Sequence, residues 1–376
     1  MADSVARRPL VVIAAGGTGG HMFPAQAFAE EMRSRGWSTA LITDSRGRAY
    51  AQTFPADWIE EVSAATFSLK APHRLPGALM KLRAGTQTAK KRFATSKPDL
   101  VAGFGGYPSY PSLAAAVDLK TPIIIHEQNS VLGRVNRLFA PSAAFVACGF
   151  ERLDRLPASV RLRKRVVGNP VRAPIRAVRD LPYPDLTDDG DINLLVTGGS
   201  QGARLFGEVV PRAIEGLTET LRRRLIVVQQ VRDEQIAKVE EIYRQAGVRC
   251  DISSFFRDMH ERLARAHLVI ARAGASTVTE LAIVGRPSIL VPLAIAMDDH
   301  QTANAEEMLE GAAADILTEA KFTPASLRSI LAERLSNAGV LQARARAALS
   351  MGRLNAARDL ADLAEQAVEM AGKDHA

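Results

Sequence analysis

Three glycine-rich stretches hold the residues best suited to chemistry: Gly16-Gly17-Thr18-Gly19-Gly20-His21, Gly103-Phe104-Gly105-Gly106-Tyr107-Pro108-Ser109 and Gly198-Gly199-Ser200-Gln201-Gly202-Ala203. A glycine-rich turn that opens into a helix lets backbone N–H groups close on an anion at the positive end of the helix dipole, and phosphate or pyrophosphate is the usual guest. The first two turns fall in one half of the chain and offer two phosphate-sized cradles there. The third lies in the other half and implies a second anionic ligand. This arrangement suits a transfer between two phosphorylated substrates. His21 stands at the first helical turn beside the first cradle, where a neutral imidazole can act as a general base. The other reading of that turn is a dinucleotide site, with Asp44 ending the next strand where a ribose-binding acid would stand. The G-x-G-x-x-G/A spacing fails, because the sixth position from Gly17 is Met22.

Turns of this kind need a sheet to carry them. Short apolar runs predict strands at Leu10–Ala15, Ser38–Thr43, Leu100–Ala102, Pro122–His126 and Ala144–Cys148, and again at Ile192–Thr197, Leu225–Gln229, Leu268–Ala271 and Ser288–Pro292. Helical patterns lie between them, as at Phe23–Arg35 and Ser276–Val284, so the fold class is α/β, with mostly parallel sheets covered on both faces. At 376 residues the chain exceeds what one core usually serves. Residues 169–190, rich in proline and acid, read as a linker between a first domain at 1–168 and a second at 191–350. Alanine, arginine and leucine at helical spacing from Ala343 to Met370 predict terminal helices.

The charge is uneven. Residues 1–170 hold 23 Lys and Arg against 12 Asp and Glu, whereas the remainder holds 25 against 29. A basic first half suits an anionic partner: nucleic acid, phospholipid headgroups or a phosphorylated substrate. Aromatics at 5% and the lack of a recognised binding motif speak against nucleic acid. Cys148 and Cys250 suggest neither a disulfide framework nor a zinc site. No stretch reaches the roughly 18 apolar residues of a membrane span. The segments Phe67–Leu75 and Leu79-Met80-Lys81-Leu82-Arg83 interleave apolar and basic side chains; they read either as a surface for the lipid headgroup layer or as an ordinary helix with its apolar side in the core. Asp189 and Asp191 form an Asp-x-Asp, but they precede a strand's amino end, away from the edge where ligands collect in such sheets.

Further stretches, His126-Glu127-Gln128-Asn129, Gly168-Asn169-Pro170-Val171-Arg172, Arg272-Ala273-Gly274-Ala275-Ser276-Thr277 with Glu280, and Asp298 to Ala305, follow the glycine-rich turns in order along the chain. Together these stretches make the sequence resemble the MurG family of bacterial N-acetylglucosaminyltransferases. The resemblance implies a GT-B fold, two Rossmann-like domains facing across a cleft, with residues 351–376 packing back on the first. It implies inverting transfer of N-acetylglucosamine from UDP-N-acetylglucosamine to the muramic acid 4-hydroxyl of lipid I, giving lipid II, with no cofactor and no metal. Donor contacts carry over to Thr18, Gly19, Gly20, Asn129, Arg172, Ser200, Phe256, the run Ala275, Ser276, Thr277, Val278, Thr279 and Glu280, and Gln301. Gly16, Gly17, Gly105, Gly106 and Tyr107 fall to the acceptor pyrophosphate. His21 is the first candidate for the base, with Glu127 and His126 as alternates. Implied partners are the two substrates, the anionic cytoplasmic face of the cell membrane, where the protein would sit peripherally, and cell-wall synthesis and division proteins, with no nucleic acid. A related diacylglycerol glycosyltransferase is the rival reading.

Overall fold

The computed structural model describes residues 7–64, 75–187, 189–199, 203–294, 296 and 299–373. Of the sequence motifs, Ser200, Gln201, Gly202, Asp298 and the basic-apolar residues 67–74 lie outside the described residues. The chain divides into two units, Met1–Arg172 with Asn355–Ala376 and Ala173–Leu354.

In unit 1 the strands are β1 (Leu10–Ala14), β2 (Ser38–Thr43), β3 (Trp58–Glu61), β4 (Leu100–Gly103), β5 (Ile123–Glu127), β6 (Phe145–Cys148) and β7 (Lys164–Val166). They form one sheet in the order β3-β2-β1-β4-β5-β6-β7, and every pairing is parallel. The central strands are apolar along their whole length because helices cover both faces, leaving no solvated side to alternate towards. The helix Ala356–Lys373 belongs to this unit: Leu360, Ala361, Ala364 and Ala367 share one core with Phe28 and Met32. Its small side chains permit close approach to the helix Gly19–Ser34, and Arg35 fixes the pair by donating to Asp362 at 2.7 Å and Glu365 at 2.8 Å.

Unit 2 repeats the plan with β8 (Ile192–Thr197), β9 (Leu225–Gln230), β10 (Arg249–Ser253), β11 (Leu268–Ala271), β12 (Ser288–Leu290) and β13 (Ala314–Ile316), in the order β10-β9-β8-β11-β12-β13. In each sheet the strand order reverses beside the first strand, between β1 and β4 and between β8 and β11. Connections leave in opposite directions at such a point, and a crevice opens beyond the carboxyl ends of the two strands. The register puts those ends level, Ala14 opposite Gly103 and Thr197 opposite Ala271. The glycine-rich turns therefore stand at the switch point of each unit.

Candidate functional site

In unit 1 the first turn leaves β1 at Ala15 and enters its helix at Gly19. Gly17 takes φ +82°, a left-handed conformation that glycine adopts without strain. Its N–H donates to Asp44 Oδ1 at 2.9 Å, and the same oxygen accepts from Gly47 N at 2.9 Å. Asp44 Oδ2 accepts from the Tyr107 hydroxyl at 2.7 Å, while Arg46 bonds Tyr107 and lies 3.6 Å from the carboxylate. Burial by itself would raise the Asp44 pKa, but the bonds from Tyr107, Gly47 and Gly17 and the charge of Arg46 together hold it below the ordinary carboxylate value. Asp44 thus builds the turn, and the N–H of Gly17 is engaged by protein. The N–H groups of Gly19 and Gly20 lie in the opening turn of a helix that has no side-chain cap and no acid there, the part of a helix that receives an anion.

The second turn brings Gly105 and Gly106, at φ +81° and +72°, against the first. A Cβ on Gly106 would lie 3.4 Å from His21 Nε2, so the absence of a side chain there leaves the imidazole edge uncovered. His21 Nδ1 is 2.9 Å from Gln128 Oε1, Gln128 Nε2 is 3.0 Å from His126 Nδ1, and His126 Nε2 is 2.9 Å from the Gly168 carbonyl. His126 is 1% exposed, and burial presses its pKa down to about 4. Glu127 is also buried. Its Oε1 accepts from the N–H and side-chain amide of Asn129, and its Oε2 from Gly133 N at 2.9 Å and Asn136 Nδ2 at 2.8 Å. Four donors on one carboxylate fix the turn that carries Asn129. Of the three candidate bases, His21 alone is partly exposed. The Arg172 guanidinium stacks 4.1 Å over the Phe23 ring.

In unit 2 the helix Ala275–Val284 begins at Gly274 with no side-chain cap and no acid in its first turn, and Val278 N supplies the first return bond, to Gly274 O. The N–H groups before it make a ready anion site. Ser276 Oγ is buried there with no hydrogen-bond partner among the described residues, an arrangement that costs stability unless a ligand supplies the bond. Thr277, Thr279 and Glu280 are half-buried on the same helix, while Val278 is core. Gln230 ties together the neighbouring loops: its Oε1 accepts from Thr197 Oγ1 and Gly198 N, and its Nε2 donates to the Ser254 carbonyl. That last bond anchors the loop bearing Phe256, which is buried under Arg262 at 3.9 Å. Gln301 Oε1 accepts from Leu293 N at 3.0 Å, and Asn304 Nδ2 donates to the Ala273 carbonyl just before the anion-ready helix.

Four residues that organise these sites, Asp44 in its present role, Gln128, Gln230 and Asn304, do not emerge from sequence reading. Asp44 and Gly17 stand 27 positions apart, and Thr197 and Gln230 are 33 apart. Gln128 lies inside the His126–Asn129 stretch and Asn304 inside that from Asp298 to Ala305, which is the signal the sequence carries for them.

Two parallel sheets, each with a glycine-bearing turn at its switch point, define the class: a two-domain protein of GT-B type. Residues 11–148 match the glycosyltransferase family 28 N-terminal domain, and residues 193–364 match the family's C-terminal domain. A UDP-N-acetylglucosamine--N-acetylmuramyl-(pentapeptide) pyrophosphoryl-undecaprenol N-acetylglucosamine transferase of Maricaulis maris is 50% identical over 350 residues, 93% of this chain and 95% of its own. Its counterpart in Caulobacter vibrioides is 47% identical over 357 residues, 95% and 98% of the two chains. The crystal structure of Acinetobacter baumannii MurG superposes with a TM-score of 0.78 at 30% identity, covering 95% of this chain and 99% of that one. The chain belongs to the MurG family within glycosyltransferase family 28. A UDP-GlcNAc 2-epimerase from Neisseria meningitidis, at 11% identity and a TM-score of 0.65, shares the fold alone.

Proposed function

We propose that this protein transfers N-acetylglucosamine from UDP-N-acetylglucosamine to the muramic acid 4-hydroxyl of lipid I, releasing UDP and forming lipid II. The observation that carries the reading is the 50% identity to the Maricaulis maris transferase over nearly the whole of both chains. The geometry supports a division of labour. Unit 2 holds the nucleotide: the open N-terminus of Ala275–Val284 and Ser276 Oγ receive the diphosphate, Glu280 the ribose hydroxyls, and the Phe256 loop the uracil. Unit 1 holds the acceptor, with Gly105 and Gly106 at its pyrophosphate.

The reaction is a single displacement. The acceptor hydroxyl attacks the anomeric carbon, His21 takes its proton, and UDP leaves from the opposite face, which inverts the configuration. Backbone dipoles at the start of the helix Ala275–Val284 meet the charge that develops on the leaving diphosphate, at little reorganisation cost because they are already fixed. Glu127 serves by holding Asn129, and His126 by holding Gln128.

Work at the cytoplasmic face of the cell membrane as a peripheral protein follows from the lipid-linked acceptor. No described helix is long and apolar enough to cross a membrane. The helix Leu75–Ser96 presents Met80, 71% exposed, and Leu79, 44% exposed, beside Lys81 and Arg83, a surface fit for anionic headgroups. Incubation with UDP-N-acetylglucosamine and a muramyl-pyrophosphoryl lipid, followed by mass spectrometry, should show one N-acetylhexosamine added to the lipid. Preferential glycosylation of diacylglycerol would overturn the reading.

A further inference from the structure

The chain of contacts from Gly168 to His21 fixes where the protons lie. At its buried end, His126 Nε2 stands 2.9 Å from a carbonyl oxygen, which can only accept, so Nε2 carries a proton. His126 Nδ1 is 3.0 Å from the side-chain amide of Gln128. If that amide were reversed, its oxygen would face Nδ1, and His126 would have to be protonated on both nitrogens. Such a cation would lie at 1% exposure against the Phe104 ring, 5.4 Å between centroids, and burial already opposes it. The amide therefore donates to His126 and turns its oxygen to His21. A carbonyl oxygen 2.9 Å from His21 Nδ1 requires the proton there.

We infer that Gln128 is a positioning residue that holds neutral His21 in the tautomer protonated at Nδ1, leaving Nε2 as the bare nitrogen that receives the acceptor's proton. The inference rests on the reading of His21 as the base. The structure supplies a consistent direction, since Nε2 lies on the ring edge beside Gly106, the side left open by that glycine. Which ring nitrogen of a neutral histidine carries the proton is set by the hydrogen bond the other makes, so a histidine meant to accept at Nε2 needs a partner such as Gln128. His126 acts one step further back: neutral and anchored on Gly168, it presents an acceptor to the Gln128 amide and prevents its reversal. Gln128 is itself held by its backbone, whose carbonyl accepts from Asn169 Nδ2 at 2.9 Å.

The test is nitrogen NMR of the full chain labelled with 15N-histidine, with the His21 signals identified by their loss in His21→Asn. In the neutral form the wild type should show a protonated Nδ1 and a bare Nε2 at His21. A proton on Nε2 would overturn the inference, whatever the protein transfers. In Gln128→Met, which keeps the volume but offers no amide, His21 should shift toward the Nε2-protonated form. In the same variant kcat should fall roughly 10- to 100-fold, the order expected when a general base is misoriented, with KM for UDP-N-acetylglucosamine within about twofold of wild type. An unchanged tautomer or an unchanged kcat in that variant would refute the role of Gln128. Should Gln128→Met not fold, the wild-type spectrum decides the question. A chain with the stated tautomer but no transfer to lipid I would refute the proposed function and leave the tautomer assignment standing.

Discussion

Tyr107 donates its hydroxyl hydrogen to Asp44 Oδ2 at 2.7 Å, and through that carboxylate the second glycine-rich turn of unit 1 is tied to the first. The two cradles are thus one braced structure, with the His21 imidazole against it. In Asp44→Asn the amide nitrogen cannot accept from Tyr107, so the brace opens on one side. Stability should fall by about 1–3 kcal/mol near neutral pH, the cost of stranding a buried hydrogen-bonding group, and kcat/KM for the lipid acceptor should fall roughly tenfold. Because the folded-state pKa of Asp44 is depressed, its stabilising contribution is full above the unfolded value near 3.8 and is lost as the pH falls through the lower folded value. The difference between wild type and variant in urea unfolding should narrow below about pH 3.8. A gap that stays constant from pH 6 to pH 3 would contradict this.

Ser276 should show the opposite balance of stability and binding. Its hydroxyl is buried without a partner among the described residues, so Ser276→Ala removes an unsatisfied group and should leave Tm unchanged or raised. The same change should weaken UDP binding by about tenfold, worth about 1.4 kcal/mol. Calorimetric titration alongside thermal unfolding checks both. A variant that unfolds earlier while binding UDP normally would show that the hydroxyl serves the fold.

Strand placement shows where sequence is sufficient and where it is not. The nine strands predicted from apolar runs are all present, and the four missed, β3, β7, β10 and β13, are the four sheet edges. An edge strand is half solvated: Trp58–Glu61 alternates partly buried and exposed residues, and Arg249-Cys250-Asp251 is exposed throughout. Such segments lack the continuous apolar run by which a buried parallel strand is recognised. The site divides along a similar line. Gly16 to His21 is visible because turn, anion cradle and helix start are contiguous. The hydrogen-bond chain through Gln128 is hidden, since it joins residues 107 positions apart.

The Asp-x-Asp before β8 should play no part in turnover. Asp191 pairs with Arg249 at 2.5 Å on the exposed amino-end side of the sheet, where the pair neutralises itself. Activity in excess chelator should equal that in buffer, and Asp191→Asn should turn over normally. Loss of activity in chelator restored by Mg²⁺ or Mn²⁺ would contradict this.

Met80 lies 71% exposed on a basic helix, with Leu79 beside it. Charge at these positions would face the acyl boundary and cost insertion. The double change Leu79→Asp with Met80→Asp should reduce flotation with anionic vesicles several-fold while leaving UDP affinity intact. Equal flotation, or wild-type indifference to lipid charge, would place the membrane contact elsewhere.

The most direct measurement is the rate of UDP release from UDP-N-acetylglucosamine with and without a muramyl-pyrophosphoryl lipid, for wild type and for His21→Asn. Transfer to the lipid through His21 requires that release in the wild type depend on the lipid. It also requires the variant to lose about 10²-fold or more of that release while binding UDP as before. Release that proceeds equally without the lipid, or a His21→Asn protein that turns over normally, would contradict it.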